Sequence, residues 1–89
     1  MTINENRIRV IDRNCKPEAA KDKSLPTSAF LVEYVTKEGT TQYDIVMAYK
    51  QVDIFDAYYD VYREGFRTIT QASGNVKPKL WNPTPAVKK

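Results

Sequence analysis

Residues 45–70 constrain the fold most, because they combine a strand-like run, one short tyrosine-rich helix and a glycine that introduces another strand. Within this segment Phe55, Tyr59 and Tyr62 recur at spacings of four and three. Such spacing places the three aromatic side chains on one face of a helix, where they would cover a small sheet. The pattern predicts a helix over residues 53–64.

Both ends of this helix carry sequence signals. Asp53 is predicted as the N-cap, and Gly65 stands where a C-terminal cap in the left-handed region belongs. Residues 66–70 then read as a strand that returns to the sheet. Tyr58 lies at the edge of the apolar face, and it is the tyrosine predicted to reach outward to a partner.

Two alternating runs before the helix predict a β-hairpin. Residues 29–37 and 41–50 alternate apolar or aromatic side chains with others, and Gly39 between them is free to adopt a positive φ. Residues 7–13 also alternate, which predicts a further strand. These elements predict an α+β fold, with a three- to four-stranded, mainly antiparallel sheet and one helix packed on a face.

The predicted organisation is a flexible N-terminus at 1–6, a single α+β domain at 7–75 with an exposed loop at 14–28, and an extended, basic, proline-containing arm at 76–89. Alternation in the strands and the helical spacing then select the core. Its predicted members are Phe30, Val32, Tyr34, Tyr43, Ile45, Met47, Phe55, Tyr59, Tyr62 and Ile69.

Composition argues against catalysis. The chain of 89 residues contains one cysteine and no histidine, which excludes an internal disulfide, the commonest zinc sites and a histidine base for neutral pH. We therefore expect a protein that is not an enzyme and uses no cofactor or metal. It contains no apolar run of about 18 residues. Together with the lack of a signal-peptide pattern, this predicts a cytoplasmic protein without membrane insertion.

Charge is distributed unevenly along the chain. The net charge is +3, but residues 26–64 carry seven acidic and three basic side chains, whereas residues 65–89 carry five basic and no acidic ones. A basic end joined to an acidic middle predicts an acidic protein partner or multiprotein complex. The other interpretation is that charged ends keep a small domain soluble.

The basic end also contains the strongest candidate for partner contact. Trp81 stands next to Leu80, outside every periodic element and between prolines, with Lys77 and Lys79 nearby. We expect Trp81 and Leu80 to anchor a partner and the lysines, with Arg67, to guide it. Trp81 could instead fold back on its own domain.

Two further patterns have alternative explanations. The acidic stripe of Asp53, Asp56, Asp60 and Glu64 could hold a divalent metal, but an ordinary solvated helix face has the same pattern. The tyrosines could stack on bases, but most follow strand or helix periodicity and are better explained as core.

The order of features from residue 45 onward resembles the small linker domain of the cyanobacterial phycobilisome. That family of rod-capping and core-capping linkers, which also begins some ferredoxin–NADP reductases, has an apolar strand ending in tyrosine, a glutamine-containing helix start and a glycine before a basic-apolar strand. The corresponding segments here are residues 45–52 and 65–70. The resemblance implies a non-catalytic linker or accessory subunit that inserts into an acidic phycobiliprotein assembly.

Two other functions remain open. A small sheet with exposed aromatics, a covering helix and basic ends could bind a single-stranded nucleic acid, although Glu33, Asp44 and the helical acids would repel phosphate. The chain could also be a regulatory subunit of another multiprotein complex.

Overall fold

The computed structural model describes residues 6–74, which form a four-stranded antiparallel sheet with one α-helix. The elements are β1 (Ile8–Cys15), β2 (Ala29–Val35), β3 (Thr41–Ala48), α1 (Gln51–Tyr62) and β4 (Phe66–Gln71), with short 3-10 helices at Pro17–Lys21 and Arg63–Gly65. The sheet order is β1-β3-β2-β4. The α+β fold expected from the sequence is confirmed, whereas residues 1–5 and the predicted arm at 76–89 lie outside the described residues.

The β2–β3 hairpin fixes which side chains share a face of the sheet. Val32 lies opposite Asp44 and Phe30 opposite Val46, and residues directly opposite in an antiparallel pair point to the same side. The even-numbered positions of both strands therefore face the helix. The turn closes at Gly39, whose φ of 86° suits glycine.

Both faces of the sheet bury apolar side chains. On the helix side the buried cluster consists of Ile8, Val32, Tyr34, Val46, Ala48, Ile54, Ala57 and Tyr58. On the other side Ala29, Ile45, Met47 and Ala72 are buried beneath the segment that joins β1 to β2. Since the second half of β3 is covered on both sides, residues 45–48 are apolar on both faces instead of alternating with water-facing residues.

This two-sided burial corrects the predicted core. Ile45 and Met47 are buried as expected, but they pack on the face away from the helix. Phe55 and Tyr59 are each 41% exposed, so their placement in the core is wrong. The side of α1 that meets the sheet is formed by Ile54, Ala57 and Tyr58. These residues also follow helical spacing, but they begin one residue earlier than the predicted set.

The connection from β1 to β2 is more ordered than the exposed loop expected at 14–28. It contains the 3-10 helix Pro17–Lys21, and Ala19, Ala20 and Leu25 pack against the second buried cluster. Ser73 donates its backbone N–H to the Ala20 carbonyl at 2.7 Å, which ties the end of the described chain to this connection. The connection therefore acts as the cover of the second face.

The ends of α1 differ from the expected caps. Lys50 occupies the N-cap without a side-chain hydrogen bond, and Asp53 lies in the first turn, where its charge favours the helix dipole. Arg63, not Gly65, adopts the positive φ, at 53°. Glycine is needed at 65 for another reason, since a Cβ there would collide with the carbonyl oxygen of Val35.

Candidate functional site

A buried carboxylate is the most unusual polar feature on the helix side of the sheet. Asp44 is 2% exposed. Its Oδ2 accepts a hydrogen bond from the Tyr58 hydroxyl at 2.6 Å, and its Oδ1 accepts one from the Tyr34 hydroxyl at 2.8 Å. The backbone N–H of Asn14 donates to Oδ1 at 2.9 Å. Three donors therefore converge on one side chain.

An irregularity in β1 supplies the third donor. The pairing of β1 with β3 shifts register between Asp12 and Cys15, and Asn14 within that bulge has a φ of 52°. Asparagine adopts this left-handed conformation more readily than most residues. The bulge turns the Asn14 N–H toward Asp44, so the distortion of the edge strand helps to satisfy the buried charge.

The electrostatics of this network keep its two phenols neutral. Burial, reinforced by the hydrogen bond to Asp44, raises the pKa of Tyr34 and of Tyr58 far above the usual phenol value. Both hydroxyls therefore remain protonated donors. Burial also raises the pKa of the Cys15 thiol, which disfavours the nucleophilic thiolate.

The two flanks of α1 differ in chemistry. Asp53, Asp56 and Asp60 lie on the flank next to β1, where they line a groove with Asn6 and Arg7. Phe55 and Tyr59 form the opposite flank, beside β4, and we call these two residues the aromatic flank. The helix thus presents an acidic side toward one edge of the sheet and an aromatic side toward the other.

The aromatic flank is ordered by ring contacts. The rings of Phe55 and Tyr59 stack with centroids 5.4 Å apart at an interplanar angle of 12°. Phe66 of β4 meets Phe55 edge to face at 5.3 Å. The guanidinium carbon of Arg63 lies 5.8 Å from the centroid of the Tyr59 ring, within cation–π range. These contacts hold partly exposed aromatic faces in a fixed orientation at the surface.

A cleft of about 670 Å³ lies at the C-terminal end of α1. Apolar parts of Val35, Val61 and Tyr62 line it, and its charged lining residues are Lys37, Glu38, Arg63, Glu64 and Arg67. Arg67 donates from Nη1 to the Glu64 carbonyl at 3.3 Å, which positions its side chain at this end of the domain. Three cations and two acids therefore surround the cleft.

The site residues expected from the sequence occupy different environments in the structure. Arg67 is exposed and lines the cleft, and its role as a partner contact stays a prediction. Tyr58 is 0% exposed and bonded to Asp44, so the expectation that it reaches outward is wrong. Lys77, Lys79, Leu80 and Trp81 lie outside the described residues.

The sequence did not identify the aromatic flank as an exposed surface, because the spacing of Phe55 and Tyr59 also fits a buried helix face.

Within residues 6–74 no group of three or more histidine, cysteine or acidic side chains is arranged to hold a metal ion. In the same part of the chain, α1 and the shorter helical turns lack the length and apolar character needed to cross a membrane. The chain matches no model of a known protein family, no curated protein and no solved structure.

Proposed function

We propose that this protein is a non-catalytic binding module that docks an acidic protein partner through the aromatic flank. The exposure of two stacked rings carries the proposal. Phe55 and Tyr59 are each 41% exposed, whereas the apolar residues of α1 that face the sheet are buried. Aromatic residues and arginine dominate the energetics of protein interfaces. Arg63 beside Tyr59 completes such a combination.

The charges around the flank favour an acidic partner. Arg63 and Arg67 lie at the end of the helix next to the flank, whereas Asp53 and Asp56 lie on its other side. Asp60 pairs with Arg63 at 4.0 Å, so Arg67 is the cation of this end that has no acidic partner among the described residues. An acidic surface approaching from the β4 side would meet cations, and one approaching from the β1 side would be repelled by the aspartates. The unequal charges of the two flanks therefore favour one orientation of the partner.

A binding role also agrees with the chemistry of the polar groups. Asp44 is occupied by three donors, and the nearby phenols are held protonated. General acid–base catalysis needs a group that can exchange a proton with a substrate. The arrangement within residues 6–74 supports rigidity of the sheet and not proton transfer.

The resemblance of residues 45–52 and 65–70 to phycobilisome linkers suggests the kind of assembly. We place the protein in the cytoplasm as a linker or accessory subunit of a phycobilisome-type complex, with an acidic phycobiliprotein as the partner. Lys77, Lys79, Leu80 and Trp81 would extend the contact beyond the folded domain. The alternative within this class is a regulatory subunit of a different complex.

The test is capture of the partner by the tagged full chain from a lysate of the native organism, followed by affinity measurement with the purified partner. Phe55→Ala/Tyr59→Ala should weaken binding about 30-fold or more, because each residue would act as a hot spot. Asp53→Ala/Asp56→Ala on the other flank is the matched control and should bind like the wild type. Equal binding by both double variants, each folded at the assay temperature, would refute the proposed interface.

A single-stranded nucleic acid is the second candidate, because stacked rings next to an arginine also bind bases. Fluorescence anisotropy with labelled oligothymidine and oligouridine tests it directly. The aspartates on the same helix predict no saturable binding to either oligonucleotide. Saturable binding that disappears in Phe55→Ala/Tyr59→Ala would replace the protein partner with a nucleic acid.

A further inference from the structure

Strand β4 is an outer strand of the sheet, and alternate residues along it point their backbone N–H and C=O groups away from β2. The Ala72 N–H donates to the Ala29 carbonyl of the neighbouring segment at 3.0 Å. Donors alternate in direction along a strand, so the N–H groups of Thr68 and Thr70 also point toward β2. The N–H and C=O groups of Ile69 and Gln71 therefore point outward, and within residues 6–74 no strand lies beyond them.

The two outer strands are not equivalent as templates for another strand. Strand β1 has two register shifts against β3 and carries Arg9, Asp12 and Arg13, features that discourage edge pairing. Residues 68–71 of β4 (Thr-Ile-Thr-Gln) keep a regular register with β2 and contain no charge, proline or glycine. A regular, uncharged and largely β-branched edge readily accepts a partner strand.

We propose that β4 pairs with β4 of a second copy of this chain, antiparallel across a two-fold axis, with Ile69 opposite its own counterpart. Residues directly opposite each other in the two copies must point to the same face of the sheet. Side chains alternate between faces along β4, so the two residue numbers of each pair must both be odd or both be even. The register shift of β4 lies at Arg67, between the pairs formed by Phe66 and Thr68. Centring the axis on Ile69 keeps the central pairs within the regular part of the strand.

This register is compatible with the charges of the edge. Thr68 faces Thr70 of the other copy, and Arg67 faces Gln71, so no like charges are directly opposed. Ile69 has outward-pointing backbone groups in both copies, so the central pair exchanges two hydrogen bonds.

The two-fold arrangement also brings the helix-side surfaces of the two copies next to each other. A two-fold axis perpendicular to the sheet keeps both helices on one face, with the two β4 strands about 4.8 Å apart. The aromatic flanks then face each other across the seam, above Phe66 and Ile69 of both copies. The irregular, charged β1 edges lie at the far ends, so the assembly closes as a dimer instead of growing into a fibre.

Self-association requires no other protein, so the dimer goes beyond the proposed function. If the chain does not dimerise, the proposed docking of an acidic partner is unaffected. Sedimentation of the full chain between about 1 μM and about 1 mM should show a monomer–dimer equilibrium. Amide hydrogen exchange over the same range gives the residue-level readout. The amides of Ile69 and Gln71 should exchange more slowly as concentration rises, whereas those of Thr68 and Thr70 should not change.

Charge substitutions test the register. Thr68→Lys/Thr70→Lys places lysine opposite lysine at two positions of the seam and should weaken dimerisation about tenfold. Thr68→Lys/Thr70→Glu places lysine opposite glutamate and should dimerise at least as well as the wild type. Ile11→Lys on β1 is the control for an added edge charge and should leave the equilibrium unchanged, with all melting temperatures measured at low concentration.

Three results would overturn the proposal. The first is a monomer across the whole concentration range. The second is protection of the Ile69 and Gln71 amides that does not depend on concentration, because the edge would then be covered from within one chain. The third is a dimer that responds equally to the Lys/Lys and Lys/Glu variants while each variant remains folded, because the contact would then lie elsewhere.

Discussion

Removal of the Tyr58 hydroxyl is the sharpest test of the buried network. Tyr58→Phe keeps the ring and its packing but deletes the donor that lies 2.6 Å from Oδ2 of Asp44. The other two donors both bind Oδ1, so Oδ2 loses its hydrogen bond on a side chain that is 2% exposed. Tyr34→Phe is the matched comparison, because Oδ1 would still accept from the Asn14 N–H.

The expected magnitudes follow from this asymmetry. A hydrogen bond to a charged group contributes about 1.5–3 kcal/mol to the free energy of unfolding, and Tyr58→Phe should lose most of that range. Tyr34→Phe should cost about 1 kcal/mol, since the Tyr34 hydroxyl has one proton for two acceptors, Asp44 and Gln42. For a domain of this size, about 2 kcal/mol corresponds to a fall in melting temperature of roughly 8–16 °C.

Urea denaturation followed by circular dichroism, with thermal melts of the same samples, gives both quantities. The double variant Tyr34→Phe/Tyr58→Phe completes a thermodynamic cycle and measures how strongly the two hydroxyls depend on each other. The reasoning fails if Tyr58→Phe melts within about 2 °C of the wild type. It also fails if Tyr34→Phe is the more damaging of the two substitutions.

Three other predictions follow from the fold. Gly65→Ala should lower the free energy of unfolding by about 1–3 kcal/mol, because its methyl group would meet the Val35 carbonyl; a neutral result in denaturation would show that the backbones separate easily. Stability should fall above about pH 10, since the raised pKa values of Tyr34 and Tyr58 mean that the unfolded chain releases these phenol protons first. Thermal melts at pH 7 to 11 check this, and Tyr34→Phe/Tyr58→Phe should reduce the alkaline loss. Phe55→Ala should cost less than the 3–5 kcal/mol typical of a buried phenylalanine, and a larger loss in a urea titration would place the ring in the core.

The sequence predicted the element types because local patterns decide them. Alternation identified β2 and β3, and helical spacing identified α1 to within two residues at each end. The faces were harder to predict, because β3 is apolar on both sides and carries its buried acid among apolar neighbours. Only pairing with β2 shows that Asp44, and not Ile45, shares a face with Val32.

The same ambiguity hid the aromatic flank. Two sets of residues on α1 satisfy the spacing of an apolar face, one containing Ile54 and Tyr58 and the other Phe55 and Tyr59. Spacing with Tyr62 favoured the second set, whereas the sheet buries the first. A polar partner for the Tyr58 hydroxyl was needed to choose between them, and Asp44 is distant from it in sequence.

The position of Asp44 has a consequence for how the hairpin avoids misfolding. If β2 and β3 slipped by one residue, the carboxylate would move to the face where Ala29, Leu31 and Met47 pack, far from both tyrosines. A buried charge that has lost its partners costs several kcal/mol, more than the apolar contacts of a slipped pairing could offset. The carboxylate therefore penalises every alignment shifted by an odd number of residues, in a strand whose two faces would otherwise be nearly interchangeable.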